Sequence, residues 1–201
     1  MRKVVYYIGV SIDGRIAGPG GQADFYPVGD GEAAAAYMAW VNERYPETVP
    51  AQYRPHVGLA DAPNKRFDTV LMGADTYRTV LAQGIGSPYA HLRQYVASTT
   101  LDRVDDPAVE LVRDPAALVR DLKREDGPDV WLCGGGGLAG ALLPQIDELI
   151  IKSYPVIAGA GTALVDGAFD PTVFTQTDRK AFPNGAAITW YERRSPENRD
   201  G

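Results

Sequence analysis

Residues 4 to 12, VVYYIGVSI, are dense in β-branched and aromatic side chains without strict polar alternation, the pattern of a strand covered on both faces. Gly14 to Gly21 then predict turns. From Asp30 to Tyr45, DGEAAAAYMAWVNERY combines strong helix formers with Tyr37, Trp40 and Val41 at helical spacing, and it puts Asp30 where an N-cap belongs. Pro46, Pro50, Pro55 and Pro63 break any regular pattern, so 46–66 is expected to be a loop or insertion. Beyond it the pattern predicts a strand at 67–73, a short helix at 74–81, and strands at 94–101 and 108–112. A helix follows at 115–125, with proline at a tolerated first position and Leu118 and Leu122 one turn apart. VWLC at 130–133 reads as a strand running into Gly134–Gly137 and a helix, LAGALLPQI, near whose end Pro144 falls; 148–157 is a further strand. Two strand-like stretches around Pro183, Asn184 and Gly185 predict a terminal hairpin. The expected class is α/β: a mixed sheet flanked by helices and closed by a C-terminal antiparallel hairpin.

Composition narrows the function classes. The 201 residues carry 26 acidic and 20 basic side chains, and the one cysteine forms no internal disulfide. That length closes one core, so a single domain over 1–194 is expected, with a proline-rich insertion at 46–66 and a polar tail at 195–201. With 45% hydrophobic and 23% charged residues, the chain is too apolar for disorder and too polar for a membrane bundle. Arg2 and Lys3 imitate the start of a signal peptide, but Asp13 interrupts the apolar run and no cleavage site closes it, which points to the cytoplasm. A net charge of -6 argues against a broad nucleic-acid surface while leaving room for a local site for one phosphorylated small molecule.

VWLCGGGGLAGALL is the strongest local feature: a strand meets four glycines where a helix starts. Such a turn lets a ligand approach the backbone, and the free N–H groups of the first helical turn can receive a phosphate; close packing against a neighbouring segment explains glycines equally well. It is not the usual dinucleotide fingerprint, since it lies late in the chain. His56, His91 and Cys133 lack companions at metal-ligand spacing, so no metal is expected, and Cys133 reads as a small buried residue.

Five blocks, VSIDGRIAG (10–18), VLMGADTYRTV (70–80), VASTTL (96–101), CGGGGLAGALL (133–143) and IDELIIKSYPVIAGAGTALVDG (146–167), resemble the dihydrofolate reductase-like superfamily in order and spacing. Within it they are most similar to the reductase domain at the C-terminus of bifunctional riboflavin-biosynthesis deaminase-reductases. The resemblance implies a dihydrofolate reductase-like sheet, NADPH as cofactor, and reduction of a small nitrogen heterocycle such as 5-amino-6-(5-phosphoribosylamino)uracil or a pteridine. It also implies that Gly73, Ala74 and Thr76 lie beside the cofactor's pyrophosphate and ribose, Ser98 and Thr99 near its adenosine, and Gly134, Gly135, Gly136, Gly137 and Leu138 along the pyrophosphate groove. Thr76 has an alternative as an ordinary helix cap. A homodimer is expected by the same resemblance.

Two positions depart from the family pattern: Ala74 and Thr99 stand where arginine or lysine commonly pairs with the 2′-phosphate of NADPH. Arg78, Arg103 or Arg113 can reach the same phosphate by another route, while loss of the contact would permit NADH or a flavin. On the substrate side the candidates are Asp13, Asp24 and Phe25, with Asp30 as the candidate proton donor. Asp13 has an alternative role in fixing a turn, and Asp30 as an N-cap alone. The competing function is a non-catalytic nucleotide- or flavin-binding protein on the same fold.

Overall fold

The computed structural model describes residues 1–194; the tail expected at 195–201 lies outside the described residues. The strands are β1 (Val4–Val10), β2 (Arg15–Ala17), β3 (Phe67–Gly73), β4 (Arg93–Ala97), β5 (Val109–Val112), β6 (Asp129–Gly134), β7 (Glu148–Ser153), β8 (Thr162–Ala163), β9 (Phe174–Ala181) and β10 (Ala187–Arg193). The helices are α1 (Gly31–Arg44), α2 (Ala74–Leu81), α3 (Pro115–Leu122) and α4 (Gly136–Ala141). Eight strands form one sheet in the order β5-β4-β3-β6-β1-β7-β10-β9, and β2 pairs with β8 beside it. Neighbours from β5 through β7 run parallel, whereas β10 is antiparallel to both β7 and β9. The mixed sheet and the C-terminal hairpin are therefore as the hydrophobic pattern predicts.

β1 lies between β6 and β7, which is why its sequence is apolar on both faces. Val5 and Tyr7 enter one core with Tyr37 and Val41 of α1, while Val4 and Tyr6 enter the other with Val119 of α3 and Ala139 of α4. α1 buries Ala34, Tyr37 and Val41, a three-and-four spacing that lays one stripe on the sheet. α3 starts on Asp114, whose carboxylate accepts the Ala117 N–H at 2.8 Å, with Pro115 in the first turn.

Several boundaries move. β1 stops at Val10, and the Ser11–Asp13 turn leads into β2, a short strand the pattern does not reveal. β4 ends at Ala97 because the Ser98 hydroxyl accepts the N–H groups of Thr100 and Leu101, turning the chain out of the sheet. The helix expected through 146 is α4 followed by a 3-10 turn at Leu143–Gln145 that accommodates Pro144. The 46–66 segment contains 3-10 turns at Pro46–Thr48 and Arg54–Val57. Two buried ions organise it: Glu47 accepts the N–H groups of Lys65, Arg66 and Phe67, and Arg54 donates to the carbonyls of Pro46 and Ala62. These side chains satisfy backbone groups that no helix or ladder could, given the prolines.

Candidate functional site

The parallel strands β1, β3, β4, β6 and β7 end on one edge of the sheet, where ligands of open α/β sheets collect. At the β3–α2 junction, Gly73 is the N-cap of α2 with no side-chain capping bond, so the first N–H groups of α2 keep their donor capacity. A Cβ on Gly73 would lie 3.3 Å from Gly135 N and 3.6 Å from Leu138 Cβ, which puts the β3 end against the glycine turn. The Gly134–Gly135 peptide is cis, and Gly134 has φ +117°.

The four glycines divide by function. A Cβ on Gly136 would meet the Ala163 carbonyl oxygen at 2.1 Å, and one on Gly140 the Asp166 carbonyl at 2.0 Å, so both are required for the 162–167 segment to cross α4. Gly137 is exposed with nothing within 4 Å of its Cβ position, and the nearest atom to that of Gly135 is Thr76 Oγ1 at 3.7 Å. The packing reading of the glycine run thus holds at Gly136, while Gly137 faces open space and Gly135 lies beside Thr76.

Farther along the same edge, Ser98 is buried and holds its own turn, whereas Thr99 is exposed. Two arginines converge there. Arg78 on α2 donates to Thr100 Oγ1 at 3.0 Å and to Asp75 at 2.7 Å, and Arg113 donates to the Ser98 carbonyl at 2.7 Å. Arg103 instead pairs with Asp105 in solvent. Ala74 is half-buried in the first turn of α2.

On the α1 side lies a pocket of about 370 Å³ lined by Tyr26, Val28, Tyr37, Val41, Lys152 and Tyr154, with Ala23, Asp24 and Met38 also contributing. Gly9 lets two of its aromatic walls pack closely on β1: a Cβ there would sit 3.2 Å from the Tyr154 ring and 3.4 Å from that of Tyr26. The Tyr26 hydroxyl lies 2.9 Å from both the Gly9 and Ile16 carbonyls, its ring packs on Tyr154 in a tilted arrangement with centroids 4.6 Å apart, and the Tyr37 and Tyr154 hydroxyls are 2.6 Å apart.

Of the expected substrate residues, Asp24 is in the pocket lining and exposed, and Phe25 packs on Tyr26 at 4.4 Å. Asp13 accepts the Ser11 hydroxyl and the N–H groups of Ala158 and Gly159, and these bonds, the Ser11 one foremost, pull its carboxyl down to about 2. That is the turn-fixing alternative, clasping the loop after β7 to the end of β1. Asp30 caps α1 by position, makes no side-chain capping bond, is exposed, and is outside the pocket lining.

Lys152 on β7 is the residue the sequence reading misses. It stands beside Gly9 in the β1–β7 register, its ammonium 4.2 Å from the centre of the Tyr7 ring, and burial pushes its pKa down to about 8. A signal was available: in a strand read as apolar, ELIIKSYPVI, Lys152 shares the face of Ile150 and Tyr154, both core residues. Cys133, behind it, is held as a neutral thiol, burial raising it to about 12. Among the described residues no group of three or more His, Cys, Asp or Glu side chains could hold a metal, and no helix is long and apolar enough to cross a membrane.

The chain is 31% identical over 166 residues to the uncharacterized protein YwjB of Bacillus subtilis strain 168, covering 81% of this chain and 82% of that one. Its fold is similar to that of dihydrofolate reductase from Enterococcus faecalis, solved with NADP(H), at TM-score 0.66 and 11% identity over 96% of this chain and 97% of that one. It is also similar to the diaminohydroxyphosphoribosylaminopyrimidine deaminase/5-amino-6-(5-phosphoribosylamino)uracil reductase of Thermotoga maritima, at TM-score 0.62 and 16% identity, over 96% of this chain and 57% of that longer one. The model of the RibD C-terminal domain matches residues 2–188, so with its dihydrofolate reductase-like sheet the chain belongs to the RibD C-terminal domain family.

Proposed function

We propose that this protein is an NAD(P)H-dependent reductase of a small planar nitrogen heterocycle, working as a cytoplasmic homodimer with residues 1–194 as one domain. The observation that carries the reading is the adjacency of two sites across the end of β1. Ile8 of β1 lies 3.6 Å from the Cβ position of Gly134, beside the glycine turn, while Gly9 packs against the Tyr26 and Tyr154 rings that line the pocket. A donor ring in the groove and an acceptor ring in the pocket would share that strand end, the proximity that hydride transfer requires.

The residues fit the cofactor. The uncapped start of α2 and the open backbone at Gly135 and Gly137 suit a pyrophosphate, with Thr76 as hydroxyl donor. When bound, the nicotinamide supplies the hydride. Leu138, against Gly73, lines the groove wall, and Ala74 leaves it uncharged. Arg78 and Arg113, flanking Thr99 and Thr100, supply the positive charge for a 2′-phosphate, which favours NADPH over NADH or a flavin despite Ala74 and Thr99. Tyr26 and Tyr154, with Phe25 packed behind Tyr26, form a cluster of tilted aromatic rings that shelters the acceptor from water, and Asp24 shares the lining. Asp30, exposed and outside the lining, leaves the proton to an ordered water or to a pocket side chain.

Titration with NADPH and NADH followed by tryptophan fluorescence tests the reading; absence of binding to both at millimolar concentration would sink it. The position of Asp30 favours a second reading, a non-catalytic nucleotide- or flavin-binding protein. Consumption of NADPH in the presence of a panel of pyrimidines, pteridines and quinones would exclude that alternative.

A further inference from the structure

Lys152 is the one cation in the pocket lining, and no carboxylate answers it there. Among the described residues its ammonium has no ion pair or hydrogen bond; its close partner is the face of Tyr7, at 4.2 Å. An ammonium taken partly out of water without a counter-charge is costly, and a ring face compensates it only in part. The groups facing it are neutral near pH 7. Burial raises the phenols of Tyr7 on β1, Tyr37 on α1, Tyr154 on β7 and Tyr26 in the covering loop, and it raises the Cys133 thiol on β6 to about 12. Asp24 also lines the pocket, but it is exposed on the loop and not ion-paired with Lys152. The cavity therefore combines flat aromatic walls with one unanswered positive charge in its lining.

The geometry points to Lys152 as the residue that selects the ligand: a planar ring bearing a negative charge, with the ionised oxygen on the lysine ammonium and the ring against Tyr26, Tyr37 and Tyr154. A pocket of about 370 Å³ accommodates a one- or two-ring heterocycle of this kind. The inference rests on the reductase reading in taking the pocket as the substrate site, and it narrows the substrate class to anionic rings, such as a ring carboxylate or an ionised ring oxygen. A merely structural lysine would give no discrimination between charged and neutral rings of one shape.

The test is calorimetric titration of the full chain with 2-naphthoate and with 2-naphthamide, nearly identical in shape, on the wild type and on Lys152→Met. Expected at pH 7 is a preference for the anion of about tenfold or more in the wild type and less than about twofold in the variant, the span of one desolvated charge pair. The amide should bind both proteins alike, which shows that the variant keeps the pocket. Because the free lysine titrates at about 8, the wild-type preference should shrink severalfold by about pH 10 as the ammonium is lost. Equal binding of the two probes by the wild type, a preference retained in Lys152→Met, or no binding of either probe at millimolar concentration would each overturn the inference. NADPH titration of the same two proteins separates the questions. Lys152→Met should bind NADPH as the wild type does, and failure of both to bind it would overturn the reductase reading while leaving the anion preference standing.

Discussion

Replacing Lys152 by methionine should stabilise the protein near neutral pH. The two side chains have similar length, so the packing on the Tyr7 ring persists and no large cavity opens. The magnitude follows from the proton affinity: lysine's ordinary 10.5 falls to about 8 here. At about 1.4 kcal/mol per tenfold change, carrying the charge in the pocket costs at most about 3–4 kcal/mol. Solvent access through the pocket mouth reduces the expected gain to about 1–2 kcal/mol. The sign with pH is definite. The folded-state value lies below the unfolded one, so the penalty is fully present below pH 8 and fades as pH rises toward 10.5, where the unfolded chain loses the same proton. Urea denaturation of both proteins at pH 7 and near pH 10 reads it directly. The variant should lead at pH 7 and the gap should close at the higher pH, other titrations cancelling in the difference. A variant less stable at pH 7, or a gap indifferent to pH, would refute the reasoning. Such a cost tolerated at one position is what a binding site produces when function and stability compete.

The glycine turn should separate under mutation: Gly136→Ala drives a Cβ to 2.1 Å from the Ala163 carbonyl and should cost about 1–3 kcal/mol in thermal or urea melts. Gly137→Ala, with open space and no positive φ, should leave stability within about 1 kcal/mol while a bulkier Gly137→Val weakens NADPH in calorimetry. Glu47→Ala leaves the N–H groups of Lys65, Arg66 and Phe67 without their acceptor and should destabilise by about 2–4 kcal/mol, whereas Glu47→Gln, which keeps one acceptor oxygen, should cost less. Arg78→Ala should lower NADPH affinity by about tenfold and leave NADH binding nearly unchanged, a difference that competitive titration resolves.

The strands and helices were legible because β1, β3, β6 and β7 are covered on both faces, which writes continuous apolar runs, and because α1 keeps Tyr37 and Val41 on one stripe. The paired strands β2 and β8 were not legible, since they have three and two residues and are defined by each other across most of the chain, through the Arg15–Ala163 and Ala17–Thr162 pairs. The 46–66 segment reads as loop because its order comes from Glu47 and Arg54, whose burial by backbone partners leaves no periodic trace. Arg2, which imitates a signal-peptide residue, is buried and bonded to Asp68, Thr69 and Glu125, contacts that only the fold reveals. In the site, the glycine turn announced itself, but which of its glycines pack and which face open space depends on where the 162–167 segment crosses α4. Lys152 was hidden for the opposite reason: one lysine within ELIIKSYPVI reads as a strand edge until α1 and the 23–28 loop enclose it.

On the proposed reductase reading, Gly135, Gly137 and Thr76 hold a reduced nicotinamide dinucleotide, with Arg78 and Arg113 reading its 2′-phosphate. Calorimetric titration of the intact protein with NADPH and, separately, NADH tests this most directly. Saturable one-to-one binding of NADPH in the micromolar range is expected, with NADH about tenfold weaker, the difference expected for one charge-assisted phosphate contact. Heat of dilution alone for both dinucleotides at millimolar concentration would contradict it.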